Sequence, residues 1–297
     1  MSHNKQNSIF TPILVGGSLI LLIGFAIRST FGLFQIPIAE QFLWARSEFS
    51  LAIAIQNLAW GIGTPIFSAF AEKFGDRKAV VIGILLYAIG LLISSSASSP
   101  EAHQFLNVII GFGIAGTGFG PILAVVGRTA SPDKRSLALG ITTAAGSAGQ
   151  VVGPPLAAAL LNIMPWSSVF VVFAIISLLT LVLVPLIKSN PKISKNDVQE
   201  NLSDALMEAV KDPTYIMLFL GFFSCGFQLA FITAHFPAFI AEASSPIIQG
   251  SLISFVCNSV ASLGALSIAL IGLFNIVGSI VAGAMGKNFT KKYNPCI

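Results

Sequence analysis

The sequence is short of charge. Only 9% of its 297 residues are charged, 12 of them acids and 16 of them Lys or Arg. A soluble domain carries about 25% charged residues because its water-exposed surface needs them. So few charges cannot cover a globule of this size, which excludes an ordinary water-soluble fold. We therefore expect the outer surface of the protein to face lipid.

Residue patterns that support catalysis or nucleic-acid binding are also missing. Cys225, Cys257 and Cys296 stand far apart and form no metal-binding or redox pattern. The formal net charge is +4, yet no basic run is long enough for a nucleic-acid footprint. The sequence has no nucleophile next to a base and no phosphate-binding glycine loop. We expect no enzyme activity, no metal, no cofactor and no nucleic-acid partner.

Long apolar stretches dominate what is present, and the mean hydropathy is +0.86. Crossing the hydrocarbon core takes about 20 apolar residues in a helix, and lipid cannot satisfy the backbone of any open structure. Eight stretches are long enough, and they predict eight transmembrane helices at approximately 11–34, 50–71, 79–97, 104–127, 137–162, 167–187, 214–240 and 262–285.

The basic residues predict the orientation of these spans. If the N-terminus is cytoplasmic, every Lys and Arg falls in a cytoplasmic segment except Arg28, inside a span, and Arg46, on the outer side. Lys and Arg are enriched in cytoplasmic loops. We therefore predict a multi-pass protein of the cell membrane, the inner or plasma membrane, with both termini in the cytoplasm.

The connectors divide the chain into three predicted parts. Residues 1–187 form a six-helix transmembrane bundle, 188–213 a polar cytoplasmic linker, and 214–297 two further spans. Apolar residues recur at every fourth position of the linker, which predicts a short amphipathic helix on the membrane surface. These residues are Val198, Leu202, Leu206 and Val210.

This layout and several motifs resemble the major facilitator superfamily. The connector Ser68-Ala-Phe-Ala-Glu72-Lys73-Phe-Gly75-Asp76-Arg77-Lys78 is similar to its inner-loop pattern, although Ser68, Glu72 and Lys73 depart from it. Gly75 permits a tight chain reversal. The resemblance implies an inner loop and gate formed by Glu72, Gly75, Arg77 and Arg128. The alternative for Arg128 is an ordinary positive anchor at the end of a span.

Three further segments strengthen the resemblance, and two of them point to one group within the superfamily. Gly24-Phe-Ala-Ile-Arg28-Ser-Thr-Phe-Gly32 and Asp133-Lys-Arg-Ser-Leu-Ala-Leu-Gly140 look like parts of monocarboxylate-transporter-like members. Gly149-Gln-Val-Val-Gly153-Pro154 is similar to a glycine-rich, proline-kinked pattern of the fifth span, and its two glycines share one helix face where backbones can approach closely.

The resemblance covers residues 11–293, but the family has twelve spans in two six-helix bundles. We therefore expect an all-α integral membrane protein, truncated at its C-terminus, with a six-helix N-terminal bundle and two helices of a second bundle.

Arg28 is the strongest candidate for a substrate-binding residue. It is the only charged residue well inside a predicted span. Placing an Arg at the centre of a span costs at least about 2.5 kcal/mol on insertion scales, and such residues are by default functional. The resemblance links a base here to carboxylate binding. The alternative is that Arg28 lies nearer the outer third of the bilayer and extends to the headgroups.

Polar residues on other spans are weaker candidates for lining a substrate path. Each could instead form a hydrogen bond between helices, a contribution that averages only about 0.6 kcal/mol. These residues are Gln56, Asn57, Gln150, Gln228 and Asn275.

Taken together, the sequence and the resemblance imply a secondary active transporter of small organic anions, monocarboxylate-like, that works by alternating access. Its partners would be a small carboxylate and the lipid bilayer. The alternative is a truncated, non-transporting membrane protein or scaffold. A third possibility is an oligomer that rebuilds a pore; the sequence leaves the oligomeric state, the substrate, the coupling ion and the direction of transport open.

The predicted orientation can be tested by cysteine labelling in a variant without its three native cysteines. A cysteine introduced by Lys134→Cys should react with a membrane-impermeant maleimide only after the cytoplasmic side is opened, because Lys134 is assigned to a cytoplasmic loop. Arg46→Cys is the matched control and should react in intact cells. Labelling of position 134 from outside would overturn the topology.

Overall fold

The computed structural model describes residues 9–187, 202–244 and 260–293, and within these ranges every regular element is helical. The α-helices are α1 (Pro12–Arg28), α2 (Gln35–Phe42), α3 (Arg46–Phe74), α4 (Asp76–Ser94), α5 (Pro100–Thr117), α6 (Phe119–Thr129), α7 (Arg135–Leu161), α8 (Trp166–Leu179), α9 (Leu202–Lys211), α10 (Pro213–Ser244) and α11 (Val260–Tyr293). Short 3-10 helices cover Phe31–Phe34 and Thr180–Leu186.

The eight predicted spans are confirmed within the described residues. Helical segments long and apolar enough to cross a membrane cover Pro12–Phe42, Arg46–Phe74, Asp76–Ser94, Pro100–Thr129, Arg135–Leu161, Trp166–Leu186, Pro213–Ile240 and Leu263–Met285. The chain is therefore an all-α, multi-pass membrane protein. The first span ends later than the predicted residue 34 because α2 continues it, with Ile38 buried in the core.

Local sequence explains where several helices begin. Thr11 caps α1, its hydroxyl oxygen accepting a hydrogen bond from the amide of Leu14 at 3.2 Å. Ser99 caps α5 in the same way through the amide of Ala102. Each cap is followed by a proline at the first helical position, where a missing N–H costs nothing. Gly75, predicted to allow a tight reversal, has φ 102° between α3 and α4, a conformation that favours glycine.

Two spans are interrupted near the middle of the bundle. Helix α1 ends at Arg28, and the hydroxyls of Ser29 and Thr30 donate hydrogen bonds to the carbonyls of Ala26 and Ile27. Such bonds compete with the regular helical pattern and bend the backbone. The fourth span breaks between α5 and α6 at Gly118, three residues before Pro121, which has no N–H to donate.

Most of the core lies within the first six spans, and Ala234 of α10 and Ala265 of α11 join it. One buried cluster joins the 3-10 turn after α1 to α8 through aromatic rings, with Phe34 and Phe170 packed edge to face at 4.8 Å between centroids. A second cluster joins α1, α4 and α6 around Leu21, Ile84 and Ile122. Most of α10 is exposed, whereas α11 packs along α7.

Close contact between α1 and α7 depends on two glycines, as the four-residue spacing predicted. A Cβ atom added at Gly149 would lie 2.3 Å from the carbonyl oxygen of Leu22, and one added at Gly153 would lie within 2.0 Å of the Ala26 oxygen. Because glycine has no side chain, the backbones of α1 and α7 lie directly against each other at these two positions. In lipid, where water does not drive helices together, small residues at such contacts support association.

The linker is described only in part. Helix α9 covers Leu202, Leu206 and Val210 of the predicted amphipathic repeat, while Val198 lies outside the described residues. Met207 and Val210 are exposed on this helix. The proposed boundaries at 187 and 213 remain predictions.

The α1–α7 contact predicts the effect of adding a side chain. Gly153→Val should lower the free energy of unfolding by about 1–3 kcal/mol, since the new methyl groups would overlap the α1 backbone. The measurement is unfolding in one detergent, followed by circular dichroism. Gly61→Val is the matched control because an added Cβ at Gly61 meets nothing within 4 Å. Equal losses in the two variants would contradict this account of the contact.

Candidate functional site

Arg28 is buried inside the helical bundle, not at its surface. It is the last residue of α1, and only 5% of its surface is exposed. Its Nη2 donates a hydrogen bond to Oδ1 of Asn57 on α3 at 2.8 Å. The Asn57 amide nitrogen in turn donates to the carbonyl of Ile53 at 2.8 Å, which fixes the direction of its oxygen. The side chain of Arg28 therefore points toward α3 and away from lipid.

Aromatic rings cover the guanidinium of Arg28. Its Cζ lies 4.5 Å from the centroid of the Trp60 ring and 5.7 Å from that of Phe25. A cation over an aromatic face is stabilised by about 0.5–2 kcal/mol, with the larger values in desolvated sites. The rings thus offset part of the cost of burial. They provide no oxygen atom for the remaining N–H groups.

The pairing of Arg28 is incomplete. Its Nε and Nη1 atoms are buried and have no hydrogen-bond partner. Among the described residues, none of the ion pairs within 4.0 Å involves Arg28, so no carboxylate of that part of the chain neutralises it. A buried charge without a partner is costly, and the N–H groups on these two nitrogens can donate hydrogen bonds to a carboxylate. Arg28 therefore has buried hydrogen-bond donors and a positive charge that no described residue satisfies.

A small cavity adjoins Arg28 between α1, α3 and α10. Its volume is about 10 Å³, roughly the space that one water molecule requires. The backbone of α10 lies against Gly32, where an added Cβ would come within 2.1 Å of the Thr233 oxygen. In this conformation the cavity cannot hold a carboxylic acid. Its walls are formed by Arg28, Phe31, Ile53, Gln56, Asn57, Thr233 and Ala234.

The structure brings together three of the six predicted substrate-binding residues. Gln56 and Asn57 line the cavity with Arg28, and the Gln56 amide also donates to Asn107 on α5 at 2.8 Å. Gln150 is buried on α7 outside that lining, and its Oε1 has no hydrogen-bond partner. Gln228 and Asn275 are exposed on α10 and α11, so their assignment stays a prediction.

The predicted inner-loop residues meet at the end of the bundle where α3 passes into α4, which we call the basic end. The Nη2 of Arg128 lies 2.5 Å from Oδ1 of Asp76, while its Nη1 lies 3.7 Å from Oε1 of Glu72. Arg77 donates hydrogen bonds to the backbone carbonyls of Pro185 and Ile187. Asp76 is therefore the closer acidic partner of Arg128, and Glu72 is the more distant one.

Two contacts near Arg28 and one contact at the basic end were not predicted from the sequence. Trp60 covers Arg28, Asn107 accepts a hydrogen bond from Gln56, and Asp76 pairs with Arg128. The position of Asp76 could have been recognised as a stabilising one, because the helix dipole favours an acid in the first turn of a helix. Asn107 carried the same signal as Asn57, a polar side chain in an apolar span, whereas a lone Trp carries none. In the described ranges, no group of three His, Cys, Asp or Glu side chains is arranged to hold a metal.

These features define an all-α, multi-pass membrane protein with an incompletely paired cation inside its helical bundle. The model of the Major Facilitator Superfamily matches residues 17–294. The chain therefore belongs to this superfamily, which is a family of membrane transporters of small molecules.

Individual relatives agree with this assignment. The chain is 28% identical over 268 residues to the "Uncharacterized MFS-type transporter YcxA" of Bacillus subtilis (strain 168), covering 86% of this chain. It is 32% identical over 156 residues, 52% of the chain, to "Monocarboxylate transporter 13" of Bos taurus. The chain spans 60% of the length of the first relative and 36% of the second.

The fold is similar to a solved transporter structure. The match is a bacterial homologue of the human lysosomal transporter Spinster, in an inward-facing and unoccupied conformation. The TM-score is 0.51 at 15% sequence identity, with 94% of this chain and 81% of the other covered. At this identity the likeness concerns the fold alone.

The Arg128 contacts predict unequal effects of removing its two acids. The Asp76 side chain is 3% exposed and that of Glu72 is 69% exposed. Asp76→Asn should lower the free energy of unfolding by about 1–3 kcal/mol, as for hydrogen bonds to charged groups. Glu72→Gln should cost less than about 1 kcal/mol because water screens exposed pairs. Unfolding in a single detergent measures both, and a larger loss for Glu72→Gln would contradict the assigned pairing.

Proposed function

We propose that the chain acts in the transport of small organic anions, monocarboxylate-like, and that Arg28 binds the carboxylate. The observation that carries this proposal is the incomplete pairing of Arg28, which is buried with two of its nitrogen atoms, Nε and Nη1, lacking a hydrogen-bond partner. A carboxylate accepts hydrogen bonds from these donors and neutralises the charge at the same time. The bovine relative named as a monocarboxylate transporter supports the same substrate class.

The neighbours of Arg28 have distinct roles in this proposal. Asn57 holds one edge of the guanidinium and leaves the other donors to the substrate. Trp60 covers one face of the guanidinium and keeps water from it. Gln56, on the cavity wall, offers a polar contact to the substrate if it exchanges its bond to Asn107. The apolar parts of a small acid would pack against Phe31 and Ile53.

Binding requires the cavity to enlarge, and this requirement connects the site to alternating access. The cavity is closed on one side by Thr233 and Ala234 of α10. A displacement of α10 away from α1 and α3 would open space beside Arg28 without moving the guanidinium. Transporters with a midplane site open it alternately to each side by rocking one bundle against the other. We propose that α10 and α11 belong to the moving part.

Contacts at both ends of the bundle support a cycle of this kind. Arg46 at the start of α3 forms an ion pair with Glu242 near the end of α10. At the basic end, the Ser136 hydroxyl on α7 donates to the carbonyl of Gly283 on α11 at 2.9 Å. About half of each side chain in the Arg46–Glu242 pair is exposed, so the pair contributes little and can break during a cycle. Arg128, Asp76 and Glu72 would stabilise the inner gate.

The orientation proposed here follows the basic residues. With the basic end in the cytoplasm, the Arg46–Glu242 pair would lie on the outer side of the cell membrane and both termini inside. Uptake driven by a proton or ion gradient is the expectation from the superfamily. The three-part division at residues 187 and 213 belongs to the same proposal.

Uptake of labelled small carboxylates into proteoliposomes with a defined pH gradient tests the proposal. Arg28→Gln should lower carboxylate uptake at least about 30-fold, as for loss of one partner of a buried charge pair. Arg28→Lys should retain part of the activity, because it keeps the charge but loses the planar donor geometry. Arg135→Gln, which removes an exposed arginine at the basic end, is the matched control and should leave uptake unchanged.

Two results would contradict the proposal. Unchanged uptake in Arg28→Gln would show that the anion binds elsewhere. If the unaltered protein moves no carboxylate although it is folded and inserted, the result favours the alternative of a non-transporting membrane protein or scaffold.

A further inference from the structure

A second site-like feature lies at the basic end, away from Arg28. It is an open groove of about 470 Å³ between the end of α3, the start of α4 and the end of the sixth span. We call it the basic-end groove. Phe70, Ile82, Val184 and Pro185 form apolar walls, and Arg77 and Lys78 add two positive charges.

The groove opens on a surface that faces lipid. On α4, Ile82 of the groove wall is exposed, and so are Leu85 and Ile89 further along the helix. On the sixth span, Leu179 and Val182 are exposed. Large apolar patches on a protein exterior mark surfaces that contact a membrane or another protein, and here they lie on membrane-spanning helices. The groove is therefore accessible to lipid molecules along the side of the protein.

The two charges are placed at one end of the groove. Arg77 and Lys78 are in the first turn of α4, whereas Ile82 lies about one turn, roughly 5.4 Å, further along the helix. The cationic end thus coincides with the end of the span and the apolar part with its interior. This arrangement matches an amphiphilic molecule that lies parallel to the helices, with its polar group beside the two charges and its apolar part along the rest of the groove.

Arg77 is held in position before any ligand binds. Its Nε donates to the carbonyl of Ile187 at 2.7 Å, and its Nη2 donates to that of Pro185. An arginine has five N–H donors, so these bonds leave donors on the same guanidinium for a phosphate oxygen. The nearby acid Asp76 is engaged by Arg128, and no acid is among the residues that line the groove. The local field therefore favours an anion.

We propose that the basic-end groove binds an anionic phospholipid. Its phosphate would contact Arg77 and Lys78, and one acyl chain would lie along Val81, Ile82 and Val184. Basic pockets between membrane helices on the cytoplasmic side recognise anionic headgroups in this way. A free phosphate ion would leave the apolar wall unused, and a zwitterionic lipid would not balance the two charges. The proposal is independent of the substrate that Arg28 binds.

Native mass spectrometry of the purified protein tests the proposal with phosphatidylglycerol and phosphatidylcholine of identical acyl chains. The unaltered protein should retain phosphatidylglycerol preferentially. Lys78→Gln should weaken its binding about fivefold, since each basic residue near the headgroups contributes about that factor. Lys73→Gln is the matched control: Lys73 is exposed at the same end of the bundle but is outside the groove, and its removal should leave binding unchanged.

A second pair of variants tests the apolar wall. Ile82→Trp should fill the groove and remove the tightly bound lipid, whereas Leu85→Trp, on the same exposed face but outside the groove, should not. Equal retention of the two lipids by the unaltered protein would overturn the proposal. Equal losses from Lys78→Gln and Lys73→Gln would also overturn it, because they would indicate only a general attraction to positive charge.

Discussion

The burial of one positive charge in a lipid-facing bundle is the constraint on which the site depends. Insertion scales place the cost of a central Arg at about 2.5–3.5 kcal/mol, so the surroundings of Arg28 must supply compensation. Asn57 provides one hydrogen bond and Trp60 one aromatic face, and both come from α3. Neither neutralises the charge. The compensation in this conformation is therefore partial, and an anion would complete it.

The close packing of the helices determines where movement is possible. Helices α1 and α7 touch through Gly149 and Gly153 with no side chains between them, so neither helix can approach the other more closely. The aromatic cluster around Phe34 and Phe170 holds the turn after α1 against α8. By contrast, α10 is mostly exposed and closes the cavity with only Thr233 and Ala234. The closely packed helices present Arg28, and the more exposed α10 covers it.

Much of this architecture could be predicted from the sequence because lipid restricts what a helix can contain. The eight spans, the reversal at Gly75 and the isolation of Arg28 follow from hydropathy, backbone freedom and charge. Pairings between distant segments could not be predicted in the same way. Nothing in the sequence indicated that Trp60 would cover Arg28. Arg128 had two candidate acids only four residues apart, and burial decides in favour of Asp76.

The central claim is that the incompletely paired Arg28 is an anion site. Trp60 reports on it directly, since its ring lies 4.5 Å from the guanidinium carbon. The most direct measurement is a fluorescence titration with small carboxylates in a Trp44→Phe, Trp166→Phe background, which leaves Trp60 as the only tryptophan. The account predicts a saturable change that Arg28→Gln abolishes. No change, or the same change without Arg28, would contradict it.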